Sequence, residues 1–212
     1  LFERALQQRL PRHDRNGEQH FDLLSAYHKS LRGSDVQGAL YWMARMVNAG
    51  EDPMTMFRRA MAMAAEDIGM ADPRALQMAV AARDAFHMLG APEGLIPLAE
   101  MTIYLATAPK SNRGKVALDG ALRSARESPN EPVPLHLRNA PTTLHASLGY
   151  GADYEYAHDQ PGGVPTHSHL PDAVASAVFY SPGPLGYEKE IGKRLEWWAA
   201  RRDERKGEGS DD

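Results

Sequence analysis

Asp52-Pro53-Met54-Thr55-Met56-Phe57-Arg58-Arg59-Ala60-Met61-Ala62-Met63-Ala64-Ala65-Glu66-Asp67-Ile68-Gly69-Met70-Ala71-Asp72-Pro73 decides the fold. An Asp-Pro pair stands at each end. In each pair the carboxylate can cap a helix while the proline occupies its first turn, where the amides have no intrahelical partner anyway. The apolar residues between the pairs recur at helical spacing, so the first pair opens a helix through Met54, Phe57, Met61 and Ala65 to about Ile68. The second pair opens another, running to Leu89 with Leu76, Ala79, Val80, Phe86 and Leu89 inward.

Outward from this stretch the pattern continues. Pro92 begins a helix through Leu98, Met101 and Leu105 that ends near Ala108-Pro109, and Ser111 caps one through Val116, Leu118 and Leu122. Upstream, Phe21, Leu24, Tyr27 and Leu31 mark a helix over residues 18–31. Gly33-Ser34-Asp35 stops it, and Ser34 can cap the next, which carries Leu40, Met43, Met46 and Val47 up to Gly50. No alternation is long enough to argue for a sheet. The fold class is therefore all-α: an antiparallel helical bundle or array joined by short turns. Residues 129–184 interrupt it, rich in Pro, Gly, His and Tyr, and read as an ordered, irregular excursion with Tyr150, Tyr154, Tyr156 and Phe179 as anchors. A last helix follows from Gly186 to about Arg205, with Ile191, Leu195 and Trp198 on one face.

The opening run, Leu1 to Leu10, has helical composition and no capping residue ahead of it, which leads us to expect a cut helix and a longer parent protein. The polar break from Pro11 to Gly17 sets a boundary. Three segments result: 1–16 as a helical end and linker, 17–206 as one helical domain, and 207–212 as a frayed tail. There is no cysteine, so disulfide frameworks and thiolate metal sites are excluded. A net charge of −4 gives the whole chain no basic footprint for nucleic acid. No apolar run is long enough to span a membrane.

The chain contains no G-x-x-x-x-G-K-[ST] loop, no G-x-S-x-G elbow and no H-E-x-x-H, so it has no phosphate cradle of the P-loop kind. His158, His167 and His169, with Asp159 and Asp172 nearby, carry the metal-ligating chemistry that a stand-alone helical hydrolase needs; the alternative is that they are polar loop residues. Glu66-Asp67 offers a general base, or else an ion-pair partner for Arg58 or Arg59. Met43, Met54 and Met61 read as core. Met56 and Met63 fall on a second apolar face of the same helix, which needs a cover such as a subunit interface. Together with Tyr41 and Trp42 they are the candidate interface residues. On the last helix Lys193, Arg194, Arg201 and Arg202 are candidate DNA contacts beside Trp197 and Trp198, although the interleaved acids Glu188, Glu190, Glu196, Asp203 and Glu204 argue for a solvated face.

Several long segments resemble, in order, the C-terminal region of the RarA/MgsA family of AAA+ ATPases, relatives of the eukaryotic Werner-helicase-interacting ATPase. They are Phe21 to Asp35, Ala39 to Met46, Ala65 to Pro73, Ala108 to Asn112, Pro134 to Thr142 and Tyr154 to Gly163. His167 to Val178 departs from the pattern. The resemblance implies that residues 1 to about 15 end the AAA+ lid. It makes the rest a clamp-loader-like collar that assembles into a homotetramer. It also implies that the parent is a cytoplasmic, nucleoid-associated, DNA-dependent ATPase of replication-linked repair and recombination at stalled forks, with DNA and single-strand-binding protein as partners. ATP, magnesium and every catalytic residue would then belong upstream, leaving this chain without a cofactor or a catalytic or metal site of its own. Two alternatives stay open: the stand-alone hydrolase and a DNA- or protein-binding collar surface.

Overall fold

The computed structural model describes residues 18–208, so the expected lid segment 1–16 and most of the tail lie outside the described residues. All regular structure among the described residues is helical. The chain divides into two compact units. One comprises the described residues up to Lys115 together with Gly183–Glu188; the other comprises Val116–Pro182 and Lys189 onward. The stretch 17–206, expected as one domain, is thus shared between both.

The first unit contains α1 (Glu18–Arg32), α2 (Val36–Asn48), α3 (Pro53–Met63), α4 (Arg74–Leu89) and α5 (Leu95–Thr107). Sequence chemistry sets their starts. Asp52 accepts from the Met54 amide at 2.9 Å with Pro53 in the first turn, as the Asp-Pro reading requires. Asp72 likewise accepts from the Arg74 amide at 3.2 Å. Ser34, expected to cap α2, instead sits at φ 59° in the turn, and Asp35 is the cap, accepting from Gly38 at 2.8 Å. The helix opened at Pro53 does not run unbroken to Ile68. Its last turn widens into a π-turn over Ala64–Ile68, followed by a 3₁₀ turn at Gly69–Ala71.

Sequence-neighbouring helices pack in pairs, α1 on α2 and α4 on α5, and α5 also meets α1 and α2. Tyr27, Leu31, Met46, Met56, Phe57, Met63, Ile68, Leu98, Met101 and Leu105 fill the centre with no exposed surface. Tyr27 is the polar exception. Thr102 donates to the Leu98 carbonyl at 2.8 Å, so the Tyr27 hydroxyl is the donor in its 2.9 Å bond to Thr102. Burial pushes that phenol up to about 12. Residues 183–188 complete this unit: the Tyr187 amide donates to the Ala71 carbonyl at 2.8 Å. Gly186 has φ +54°, and a Cβ there would collide with the same carbonyl oxygen, so only glycine fits.

The second unit holds most of α6 (Arg113–Glu127), the short α7 (Thr143–Ser147), four 3₁₀ turns and α8 (Glu188–Glu208) after its first residue. Gly207 and Glu208 continue α8, which extends further than the expected end near Arg205. No residue of α6 is buried, and Val164 is this unit's one buried apolar side chain among the described residues. Polar clamps fix its chain path instead. Arg205 of α8 donates to the Val164 carbonyl, to Gln160 Oε1 at 2.6 Å and to Glu155 Oε1 at 3.3 Å. Glu155 in turn accepts from the Thr166 amide and from its hydroxyl, the latter at 3.0 Å. Burial raises the Glu155 carboxyl, but these bonds and the Arg205 charge outweigh it and hold it below its usual range. Arg138 donates to the Val133 carbonyl at 2.7 Å and to the Tyr150 hydroxyl at 3.2 Å, its guanidinium 5.0 Å above that ring.

Candidate functional site

Of the four candidate interface residues, two are surface groups. Tyr41 is 56% exposed and Trp42 half-buried; they meet edge-on at 5.0 Å, and the Arg45 guanidinium lies 5.6 Å from the Trp42 ring. Met56 and Met63 are fully buried within the first unit, so they present nothing to a partner. The reason is the choice of face on α3. Its inward stripe is Met56, Phe57, Ala60 and Met63, while Met54 and Met61 are only partly buried against the core. Both stripes share Phe57 and both carry methionines, so periodicity alone could not rank them.

The candidate DNA contacts on α8 are exposed but substantially neutralised. Lys193 pairs with Glu190 at 2.8 Å and Arg201 with Glu204 at 2.9 Å, each one turn apart. Arg201 also lies 5.6 Å from the Trp197 ring, and Trp197 and Trp198 are 47% and 39% exposed. Arg194 and Arg202 lie on the same exposed helix.

The histidines are not gathered as a metal site demands. His167 and His169 stack on His136, at 5.3 and 6.1 Å between ring centres, whereas His158 stacks on Tyr156 at 5.2 Å. Among the described residues no group of three or more His, Asp or Glu is placed to hold a metal ion. The described residues thus do not bring His158, His167 and His169 together in the way the hydrolase reading expects.

A polar hub went unforeseen in the sequence. Asp67, on the π-turn, accepts from Arg32 Nε at 2.7 Å and Nη2 at 3.2 Å, in place of the expected Arg58 or Arg59. Its backbone carbonyl accepts from the Ser111 amide at 2.7 Å. Lys110 caps the end of α5 through the carbonyls of Leu105, Ala106 and Ala108 at 2.9, 3.0 and 2.6 Å, and burial lowers its ammonium. The Ser111 hydroxyl donates to the fully buried Glu188 at 2.7 Å, and Glu188 also accepts from the Gly183 amide at 2.8 Å. Arg32, Asp67, Lys110, Ser111, Arg113 and Glu188 line a cavity of about 310 Å³. Two of the segments that carry the family resemblance, Ala65–Pro73 and Ala108–Asn112, thus meet here. Most of their polar groups are consumed in holding α1, the π-turn and the start of α6 together. No sequence signal could pair Arg32 with Asp67, or Ser111 with Glu188, because nothing local links them.

Fold and site together define an all-helical module whose distinctive motifs serve packing, with no phosphate-binding loop in its sequence. Comparison with known proteins gives that class a family. Residues 33–199 match the family described as MgsA AAA+ ATPase C terminal, and the chain belongs to it. It is similar to the Replication-associated recombination protein A of Escherichia coli, 47% identical over 193 residues, covering 91% of this chain and 43% of that protein. The protein of the same name from Haemophilus influenzae is 45% identical over 197 residues, 92% and 44% of the two chains. The ATPase WRNIP1 of Dictyostelium discoideum is 41% identical over 170 residues, 79% of this chain and 19% of that one. The chain spans less than half the length of these curated relatives. No helix among the described residues is long and apolar enough to cross a membrane.

Proposed function

We propose that this chain is the non-catalytic assembly region of an AAA+ ATPase acting in replication-linked recombination and repair, and that it builds a homotetramer. One observation carries the reading. The second unit leaves Val116, Leu118, Leu122, Leu144, Leu148 and Val178 about half or more exposed, yet buries only Val164 of its apolar side chains among the described residues. So much apolar surface on so little core is what copies of the chain would cover. Tyr41, Trp42 and Arg45 supply a second patch of the residue types that dominate binding energy at interfaces. ATP and magnesium belong to the remainder of the parent in this reading. So do DNA and single-strand-binding protein, in a cytoplasmic, nucleoid-associated setting. Light scattering after gel filtration over a dilution series tests assembly: a persistent tetramer mass supports it, and a monomer at all concentrations overturns it.

DNA contact through Lys193, Arg194, Arg201 and Arg202 is a second reading, favoured by the exposed Trp197 with Arg201 beside its ring. The internal ion pairs weaken it. Affinity for single-stranded DNA that falls steeply with salt would support it; a flat salt profile would remove it.

A further inference from the structure

His28 is the least satisfied polar side chain of the first unit's interior. It is 7% exposed, and among the described residues its Nδ1 is buried without a hydrogen-bond partner. Its Nε2 lies 2.6 Å from Arg32 Nη2 and 3.5 Å from Asp67 Oδ2. A guanidinium can only donate, so Nε2 accepts and the neutral ring carries its proton on the enclosed Nδ1. This arrangement has one alternative. A second proton, placed on Nε2, would point a donor at the Arg32 donor, and the nearest acceptor for it is Asp67 Oδ2, which Arg32 Nη2 now holds at 3.2 Å.

We propose that His28 and Arg32 compete for the Asp67 carboxylate, so that acid moves Oδ2 from the guanidinium to the imidazole and loosens the hub joining α1, the π-turn and Ser111. The Nε–Oδ1 bond at 2.7 Å is then what ties Arg32 to Asp67, beside the cavity that both residues line. The charged groups around the ring come from three elements: Arg32 on α1, Arg59 on α3, and Glu66 and Asp67 on the π-turn. Burial lowers the imidazole first, Arg32 and Arg59 lower it further, and Asp67 and Glu66 oppose them without prevailing. A histidine held below its ordinary value of about 6.5 binds fewer protons folded than unfolded. Its contribution is complete above that value and is lost as the pH falls through the lowered one, so the latch is closed at neutral pH and yields in acid.

Deuterium exchange at the imidazole C2–H, followed by mass spectrometry, reads the titration midpoint of His28 in the intact chain. The midpoint is expected below 6.5, to rise in Arg32→Ala and to fall further in Asp67→Asn. Peptides covering residues 64–72 and 108–114 should lose amide protection as the pH falls from 6.5 through the midpoint so measured. In His28→Gln, which keeps an acceptor for Arg32 but cannot take the proton, that loss should vanish. The drop in melting temperature over the same interval should also shrink. If His28 titrates at its ordinary value and ignores Arg32→Ala, or if His28→Gln loses protection in acid as the wild type does, the latch does not exist. Should Arg32→Ala fail to fold, the wild-type midpoint and the His28→Gln exchange still decide.

Discussion

The two units solve the same problem by different means. The first stacks Phe57, Met56, Met63, Leu98 and Met101 into a buried centre and, the Tyr27–Thr102 pair apart, uses polar groups mainly at helix ends and turns. Among its described residues the second buries one valine and lets Arg138, Glu155 and Arg205 pin the chain at a few points. Apolar burial contributes roughly 1.5–3 kcal/mol per large side chain, whereas a charged hydrogen bond adds a net ~1.5–3 kcal/mol only where its geometry holds. A unit of the first kind is stable over its whole volume. One of the second kind is ordered point by point and leaves its apolar faces for something else to cover.

The contrast breaks most sharply at Phe57. Phe57→Ala should cost ~3–5 kcal/mol and lower the unfolding temperature of the first unit, read by thermal melts. A loss below about 1 kcal/mol would mean that this core is less tightly packed than its burial implies. Gly186→Ala should cost about 2–4 kcal/mol, since it adds both a Cβ clash and an unfavourable positive φ. Hydrogen exchange should place that damage at residues 69–73. In the second unit Arg205→Ala should speed exchange at residues 155–166 at least tenfold, the consequence of losing about 1.4 kcal/mol or more of local protection, and leave α1 to α5 unchanged. The smallest expected effect on stability sharpens the comparison furthest. Leu122→Ser should change the melting free energy by less than about 0.5 kcal/mol when the chain is dilute, while raising the concentration needed for assembly.

Most of the first unit was legible because its information is local. Asp52-Pro53, Asp72-Pro73 and Gly50 act on their neighbours in sequence, and the helices begin and end close to where those residues place them. The face of α3 was not legible, since Met54 and Met61 compete with Met56 and Met63 in hydropathy and only the neighbouring helices decide between them. The hub at Asp67 was hidden for another reason: Arg32 lies 35 residues away, and Arg58 and Arg59 were nearer in sequence and equally charged. The excursion was recognisable as irregular from its prolines and glycines. Its clamps were not, because a single arginine in a helix with many cations carries no mark of being the one turned inward.

Residues 183–188 give the first unit a temporal property. The segment that fills the Ala71 carbonyl and satisfies Ser111 through Glu188 is made long after Lys115. On a ribosome adding ~5–20 residues per second, the helices through α5 must wait several seconds or more before their last piece emerges. Until then Ser111 and the edge at Ala71 are open, and the nascent chain passes through a stage in which its best-packed region is unfinished and accessible to a chaperone or a protease.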